Sequence, residues 1–316
     1  MSRVFGPVPS RRLGRSLGVD PIPFKTCNWN CVYCQLGRSA QLKTERERFF
    51  PADSIVDEVV STVERIGKTN VDWVTFVGSG EPTLHLDLGE MIREVKRRTD
   101  LPVAVITNGS LLYLEAVRRD LLEADAVLPT LDAGSERVYR RINRPARSLT
   151  FDRQIEGLRA FRREYRGQLW VEVMLVKGYN DDDQSLAEIA QVLEEVNPEE
   201  VHLNRPTRPA ADARAEPSDE LRTRRAAEIL GAGARSVAAE AACVALSEHE
   251  ELESAILGIV TRHPLEQARI ADTLSTTDHA GVERAVLALL ERGEVQQVER
   301  HGARFLCAGE GLFGPA

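Results

Sequence analysis

The stretch Lys25-Thr26-Cys27-Asn28-Trp29-Asn30-Cys31-Val32-Tyr33-Cys34-Gln35-Leu36-Gly37 is the most informative part of this 316-residue chain. It contains three of the five cysteines, in the spacing Cys-x3-Cys-x2-Cys. Cys27, Cys31 and Cys34 can converge on one metal centre, and three ligands leave a coordination position open. Chance, a zinc site and an iron–sulfur cluster each remain possible. The first His is His85 and the next cysteine is Cys243, so no fourth zinc ligand lies nearby, which favours the cluster.

Short apolar runs and amphipathic segments alternate on both sides of this loop. Because β-branched apolar runs between helices are typical of parallel strands that helices bury on both faces, we expect an α/β fold. Six strands predict a partial (β/α)6 TIM-like barrel within residues 1–234. The predicted strands cover residues 17–22, 71–77, 102–107, 126–131, 170–176 and 200–204. The predicted helices cover residues 55–66, 88–98, 112–123, 149–165, 186–196 and 219–230, and residues 1–16 are expected to be irregular.

Polar and glycine-rich segments follow successive predicted strands. The cysteine loop (residues 25–37) follows the first strand, and Gly78-Ser79-Gly80-Glu81-Pro82-Thr83 follows the second. Thr107-Asn108-Gly109-Ser110 ends the third strand, and Thr130-Leu131-Asp132 ends the fourth. Ligands of such folds collect at the carboxyl ends of the strands, so the candidate site lies at this rim.

The C-terminal part has a different character. We predict a linker or packing segment over 235–246, a winged-helix-like domain over 247–308 with helices at 252–261, 265–274 and 281–292, and a tail over 309–316. Residues 247–316 contain 12 acidic and six basic side chains, a net −6 of the total −8. Because phosphate contact requires positive charge, we do not expect DNA binding. Contact with a protein, or packing against the barrel, fits better. Cys243 and Cys307 are isolated and are expected to be buried thiols.

The spacing of the three cysteines, with Tyr33 before the last of them, resembles the signature of the radical S-adenosylmethionine superfamily. The resemblance extends over about residues 4–230 and implies a [4Fe–4S] cluster on Cys27, Cys31 and Cys34. S-adenosyl-L-methionine would chelate the fourth iron, and an electron from the cluster would cleave it to methionine and a 5′-deoxyadenosyl radical that abstracts hydrogen from a substrate.

The resemblance also implies cofactor-binding residues. Ser79-Gly80-Glu81-Pro82 resembles the family's Gly-Gly-Glu-Pro motif, which holds the methionine amino group, with Ser in place of the first Gly. Asp132 either contacts the cofactor or substrate, or caps the next helix. The implied cofactor-binding set is Tyr33, Gly78, Ser79, Gly80, Glu81, Pro82, Thr107, Asn108, Gly109, Thr130 and Asp132. Polar residues that could face a substrate are Lys177, Tyr179, Asn180, His202, Asn204 and Arg205, and no catalytic residue is assigned.

The N-terminal segment from Phe5 to Gly37 is most similar to the wybutosine-type iron–sulfur oxidoreductases. The tRNA-modifying members of that group have upstream cysteines for a second cluster, whereas this chain has no cysteine before Cys27. We therefore do not expect it to synthesise 4-demethylwyosine.

The remaining expectations concern partners and location. No signal peptide or membrane span is apparent, so we expect a cytoplasmic protein with no membrane partner. The resemblance implies an electron donor such as flavodoxin or ferredoxin and an unidentified substrate: a small molecule, a peptide or tRNA. Two alternatives stay open, namely tRNA modification and an iron–sulfur redox or iron sensor with winged-helix output.

Overall fold

The computed structural model describes residues 2–10, 12–39, 41–231, 233–236, 252–274, 278–311 and 313. Its strands are β1 (Val4–Ser10), β2 (Gly14–Val19), β3 (Trp73–Phe76), β4 (Val103–Thr107), β5 (Ala126–Pro129), β6 (Gln168–Met174), β7 (Glu200–Asn204), β8 (Ala234–Ser236), β9 (Leu265–Glu266), β10 (Val295–Arg300) and β11 (Ala303–Ala308). Its helices are α1 (Ala52–Ile66), α2 (Leu88–Thr99), α3 (Glu115–Leu121), α4 (Glu136–Ile142), α5 (Phe151–Glu164), α6 (Asp183–Val196), α7 (Glu220–Leu230), α8 (Leu252–Val260), α9 (Ile270–Thr273) and α10 (His279–Glu291).

Within these residues, β1 to β8 form one sheet in sequence order. The strands from β2 to β8 are parallel, and β1 is antiparallel to β2 at one edge. Because each strand lies beside the next one in the chain, every crossover moves in the same direction across the sheet. Because crossovers are right-handed, the helices then lie on one face, as in a barrel and unlike a doubly wound sheet. The predicted partial TIM-like barrel is confirmed.

The apolar pattern explains the inner part of the sheet. Val74, Phe76, Val103 and Val105 are fully buried between the strands and the helices α1 and α2. The carboxyl ends of β2 to β5 lead into the cysteine loop and the three polar segments, so the predicted rim is formed as expected.

Four elements differ from the prediction. Residues 4–10 form β1 instead of an irregular segment, because an edge strand tolerates Pro7 and Pro9, whose nitrogens cannot donate to a ladder. The short strand β8 extends the other edge. The seven-residue helix α4 was not predicted. Residues 265–274 are not one helix, because Leu265 pairs with Leu306 of β11.

The C-terminal elements have a core of their own. Ile256, Ile270, Val286, Leu289 and Leu306 form its centre, and β10 and β11 form an antiparallel hairpin, with β9 beside β11. The winged-helix class and the domain boundaries stay predictions. Residues 237–251, which include Cys243 and most of the predicted linker, lie outside the described residues, as do residues 312 and 314–316 of the tail. Among described helices, none has the length and apolar character that a membrane span requires.

One face of this C-terminal unit contacts the barrel beside the cysteine loop. The guanidinium of Arg262 donates to Asp20 Oδ2 at 2.9 Å, and both side chains are buried. The amide of Gln35, next to Cys34, lies 3.2 Å from the carbonyl oxygen of Arg262 and 3.1 Å from His263 Nδ1. The prediction that this region packs against the barrel therefore has direct contacts to support it.

Candidate functional site

The three cysteines of the loop each lie within hydrogen-bond distance of a nitrogen donor. Such N–H groups stabilise thiolates and set the reduction potential of an iron–sulfur cluster that the thiolates bind. The donors are Trp29 N (3.4 Å) and Asn108 Nδ2 (3.8 Å) to Cys27, Asn143 Nδ2 (3.7 Å) to Cys31, and Lys25 Nζ (2.8 Å) to Cys34.

The thiols of Cys27 and Cys31 are ill suited to ionise without a metal. Burial raises the pKa of Cys27 to about 11, and burial also raises the pKa of Cys31 well above its usual range. Reactive thiols usually have lowered pKa values, whereas a bound metal removes the proton from a buried thiol outright. The environment therefore fits metal ligands better than free nucleophiles.

Glu81 joins the ends of two neighbouring strands. It is buried, and its Oε1 accepts from Thr107 Oγ1 at 2.6 Å and from Thr83 N at 3.0 Å. Its Oε2 accepts from Asn108 N at 2.7 Å. Burial raises the pKa of Glu81, although these donors oppose the shift. A carboxylate has about four acceptor positions, so Oε2 keeps capacity for another donor, such as an ammonium group.

Two glycines of the Gly78-Ser79-Gly80 turn are required by close approaches. A Cβ at Gly80 would lie 1.9 Å from the carbonyl oxygen of Thr26, which accepts from Glu81 N at 3.0 Å. A Cβ at Gly78 would lie 2.0 Å from Asp20 Oδ1. The turn is thereby held against the residue preceding Cys27, which brings the second strand end to the first.

Ser79, which departs from the family's glycine, has its own partner. Its N donates to Asp20 Oδ1 at 3.1 Å and its Oγ donates to Asp20 Oδ2 at 2.6 Å. Since Arg262 binds the same carboxylate, a continuous polar chain runs from the C-terminal unit to this turn.

Asp132 lies between the cysteine loop and the carboxyl ends of β5 and β6. Its Oδ2 accepts from Tyr33 OH and from Asn143 Nδ2, the latter at 2.7 Å, and its Oδ1 accepts from Met174 N at 2.8 Å. Burial raises its pKa to about 6. Helix α4 starts after Ser135, and these hydrogen bonds involve no amide of its first turn. These hydrogen bonds therefore give no support to the alternative that Asp132 caps the next helix. A contact of Asp132 with a cofactor or substrate stays a prediction.

The other predicted residues divide into two groups. Thr107 and Asn108 join the Glu81 network, Gly109 turns the chain with φ of 74°, and Pro82 begins the 3-10 turn that follows Glu81. Thr130 contributes its backbone carbonyl to Gln154. Other polar candidates serve the fold: Asn180 binds Val176 N, Met174 O and Asp132 O, and the buried His202 binds Glu200.

The donor set fits an iron–sulfur cluster bound through three thiolates. Beside the loop, the buried amide Nδ2 of Asn28 and the Oδ1 of Asn143 have no hydrogen-bond partner among the described residues, as expected where a further polar group belongs. Within the same residues, no three His, Cys, Asp or Glu side chains surround one point as ligands of a single metal ion.

Several residues of the site were missed from the sequence. Lys25 and Asn28 lie inside the cysteine stretch but had no assigned role. Asn143 comes from the unpredicted α4 segment, and the ion pair of Asp20 with Arg262 joins residues 242 positions apart. A pair so distant in the chain has no signal in local patterns.

The geometry defines a class of protein. Three cysteines after the first parallel strand and a buried Gly-Glu-Pro turn after the second lie at the same rim of a partial barrel, and the family model of the radical SAM superfamily matches residues 22–190. The chain belongs to the radical SAM superfamily. The predicted resemblance and the cofactors of that superfamily, a [4Fe–4S] cluster and S-adenosylmethionine, are confirmed at the level of the family.

The chain is similar to UPF0026 proteins, among them one from Methanocaldococcus jannaschii, with 36% identity over 88% of this chain and 88% of that protein. The chain is also similar to a protein of Brachyspira hyodysenteriae named GTPase Obg. The two are 45% identical over a match that covers 67% of this chain and 31% of that protein. A radical SAM methyltransferase from Sphaerobacter thermophilus has a similar fold, with a TM-score of 0.53, 19% identity, and coverage of 70% of this chain and 65% of that one.

Proposed function

We propose that this protein is a radical S-adenosylmethionine enzyme that generates a 5′-deoxyadenosyl radical and abstracts hydrogen from a substrate. The observation that carries the proposal is the position of Asn108. Its backbone N donates to Glu81 Oε2 at 2.7 Å, and its side-chain Nδ2 lies 3.8 Å from Cys27 Sγ. Asn108 thus contacts both the carboxylate that is suited to an ammonium group and the sulfur of Cys27, a proposed cluster ligand.

Cys27, Cys31 and Cys34 would hold the cluster, and Glu81 with the backbone of Ser79 and Gly80 would hold the methionine amino group. When bound, the cluster would supply the one electron that cleaves a carbon–sulfur bond of the sulfonium, and the products would be methionine and the 5′-deoxyadenosyl radical that abstracts hydrogen from the substrate. A one-electron donor such as flavodoxin or ferredoxin would supply that electron.

The chain's own residues have separable tasks. Lys25 places a positive charge against Cys34 Sγ. This charge would offset the negative charge of the cysteine ligands when the cluster is bound. Tyr33 forms hydrogen bonds with Asp132 and Asn143, which connect the loop to the segment that follows β5. The arrangement orients a bound cofactor across the ends of β2 to β5.

The test is anaerobic reconstitution with iron and sulfide, followed by addition of S-adenosylmethionine and a chemical reductant. We expect 5′-deoxyadenosine and methionine in equal amounts, and loss of both the cluster and the products in Cys31→Ala. Cys307→Ala is the matched control, because this thiol is buried in β11 and should leave the iron content unchanged. A bound cluster without 5′-deoxyadenosine would contradict the proposal and favour the sensor alternative.

A further inference from the structure

A cavity of about 470 Å³ beside the cysteine loop has arginine at four of its six lining positions. Its walls come from the end of α4, the loop after β6 and the loop after β7. The lining residues are Arg140, Arg141, Arg144, Gly178, Tyr179 and Arg214. None of the three cysteines and none of the implied cofactor-binding residues lines this cavity, so we consider it as a separate site.

The charges of the cavity do not cancel. Arg144 and Arg214 share one carboxylate, the fully buried Asp212, at 2.7 Å and 2.8 Å. Arg140 pairs with Glu136 at 2.6 Å. Arg141 has no carboxylate within ion-pair distance among the described residues. Four guanidinium groups therefore face two carboxylates, and the remaining charge of about +2 suits a dianion.

The guanidinium groups are also held in place before any ligand binds. Arg141 donates to the carbonyl oxygens of Gly178 and Tyr179 and lies over the Tyr179 ring, 4.8 Å from its centroid. Asp212 accepts from Arg214 N and Nε, both at 3.0 Å, and these bonds hold its pKa well below the usual range. Fixed donors lose little conformational entropy when an anion binds.

Each wall of the cavity is connected to the cysteine loop. In every wall, a lining residue lies one to three positions along the chain from a residue that contacts this loop or Asp132. Arg144 follows Asn143, whose amide is 3.7 Å from Cys31 Sγ. Tyr179 precedes Asn180, which donates to Asp132 O at 2.9 Å. In the third wall, Ala211 N donates to the carbonyl oxygen of Cys34 at 2.9 Å. At about 3.8 Å per residue, the cavity is on the order of 10 Å from the cysteines.

We propose that this cavity binds the phosphate groups of a small phosphorylated substrate and so holds the substrate beside the radical site. The inference rests on the proposed function and names its substrate class. The volume of this pocket matches a compact ligand, and a chain with a net charge of −8 is poorly suited to a long polyanion, which favours a nucleotide-sized molecule over RNA.

The test uses inorganic pyrophosphate as the probe, titrated into the full-length reconstituted protein by calorimetry at low ionic strength. We expect binding that weakens at least about tenfold in Arg141→Gln, because a charge-assisted contact is lost. Arg119→Gln is the matched control: its pair with Glu115 at 3.8 Å on α3 lies outside the cavity, and binding should be unchanged. Arg141→Lys keeps the charge without the planar fork, so it should bind with intermediate affinity.

Equal affinity in Arg141→Gln and the unmodified protein, or no binding of pyrophosphate to either, would overturn the inference. A single-stranded RNA oligonucleotide that binds more tightly than pyrophosphate, and loses affinity in Arg141→Gln, would replace the small substrate with RNA. The titration requires no cleavage of S-adenosylmethionine. Failure of phosphate binding with intact 5′-deoxyadenosine formation thus refutes only this inference, and the reverse result refutes only the proposed function.

Discussion

The cysteine-loop rim and the C-terminal unit are built on opposite principles. The rim buries the carboxylates of Asp20, Glu81 and Asp132, and each of them accepts hydrogen bonds from neighbouring residues of the rim. The C-terminal unit buries an ordinary apolar core. Its most deeply buried polar contact with the barrel is the Arg262 ion pair with Asp20. The difference indicates that the chemistry belongs to the barrel, while the C-terminal unit supports the rim from one side.

The largest expected effect comes from separating the two regions at their ion pair. Arg262→Met leaves Asp20 buried without its cation, which should lower the free energy of unfolding by about 3–5 kcal/mol. Because Asp20 also holds Ser79, affinity for S-adenosylmethionine should fall in the same variant. Urea denaturation and equilibrium binding measure the two effects.

The control for this change removes a cation of the same unit at its surface. Arg292→Met breaks exposed pairs with Glu253 and Glu294 and should leave stability and cofactor binding unchanged. Adding Asp20→Asn to Arg262→Met should restore part of the stability, since no buried charge then remains unpaired. Equal stability of Arg262→Met and the unmodified protein would show that the C-terminal unit does not support the rim.

The second effect lies within the rim. Glu81→Gln removes the charge that is suited to an ammonium group, so affinity for S-adenosylmethionine should fall by about 1.5–3 kcal/mol, roughly 10- to 100-fold. The iron content should be retained, because Glu81 does not contact a cysteine sulfur through its own side chain. Binding can be followed by the change in the electron paramagnetic resonance spectrum of the reduced cluster. Unchanged affinity in Glu81→Gln would remove this residue from the cofactor site.

The two regions also differ in how far the sequence predicts them. Cysteine spacing and the Gly-Glu-Pro turn are local, so the ligands and the Glu81 strand end were predicted from short segments. The parallel strands followed from β-branched runs such as those at Val74 and Val103, which are buried on both faces.

Tertiary contacts account for what could not be predicted. The strand β1 contains Pro7 and Pro9 and forms only because it lies at the sheet edge. Asn143 reaches Cys31 only once the unpredicted α4 has turned the chain back towards the loop. Arg262 has ordinary neighbours in the sequence, and its role depends on Asp20, whose carboxylate directly follows β2, the first strand of the parallel series.

The smallest effect is expected from pH at the contact between the two regions. Burial, together with nearby Arg208, Arg262 and Arg12, lowers the pKa of His263 from 6.5 to about 3. The unfolded chain then binds a proton that the folded chain excludes, so the stabilisation is complete above pH 6.5 and is lost as the pH falls towards 3. Between pH 7 and pH 6 the loss is ~0.7 kcal/mol at most.

Hydrogen–deuterium exchange of peptides from residues 252–274 can measure this change, with His263→Gln as the comparison. The intrinsic pH dependence of exchange is common to both proteins and cancels in their difference. The unmodified protein should lose protection between pH 7 and pH 6 relative to His263→Gln, because only its imidazole takes up a proton on opening. If both proteins lose the same protection, protonation of His263 does not weaken the contact between the C-terminal unit and the cysteine loop. The ion pair of Arg262 with Asp20 would then be the contact that connects the two regions.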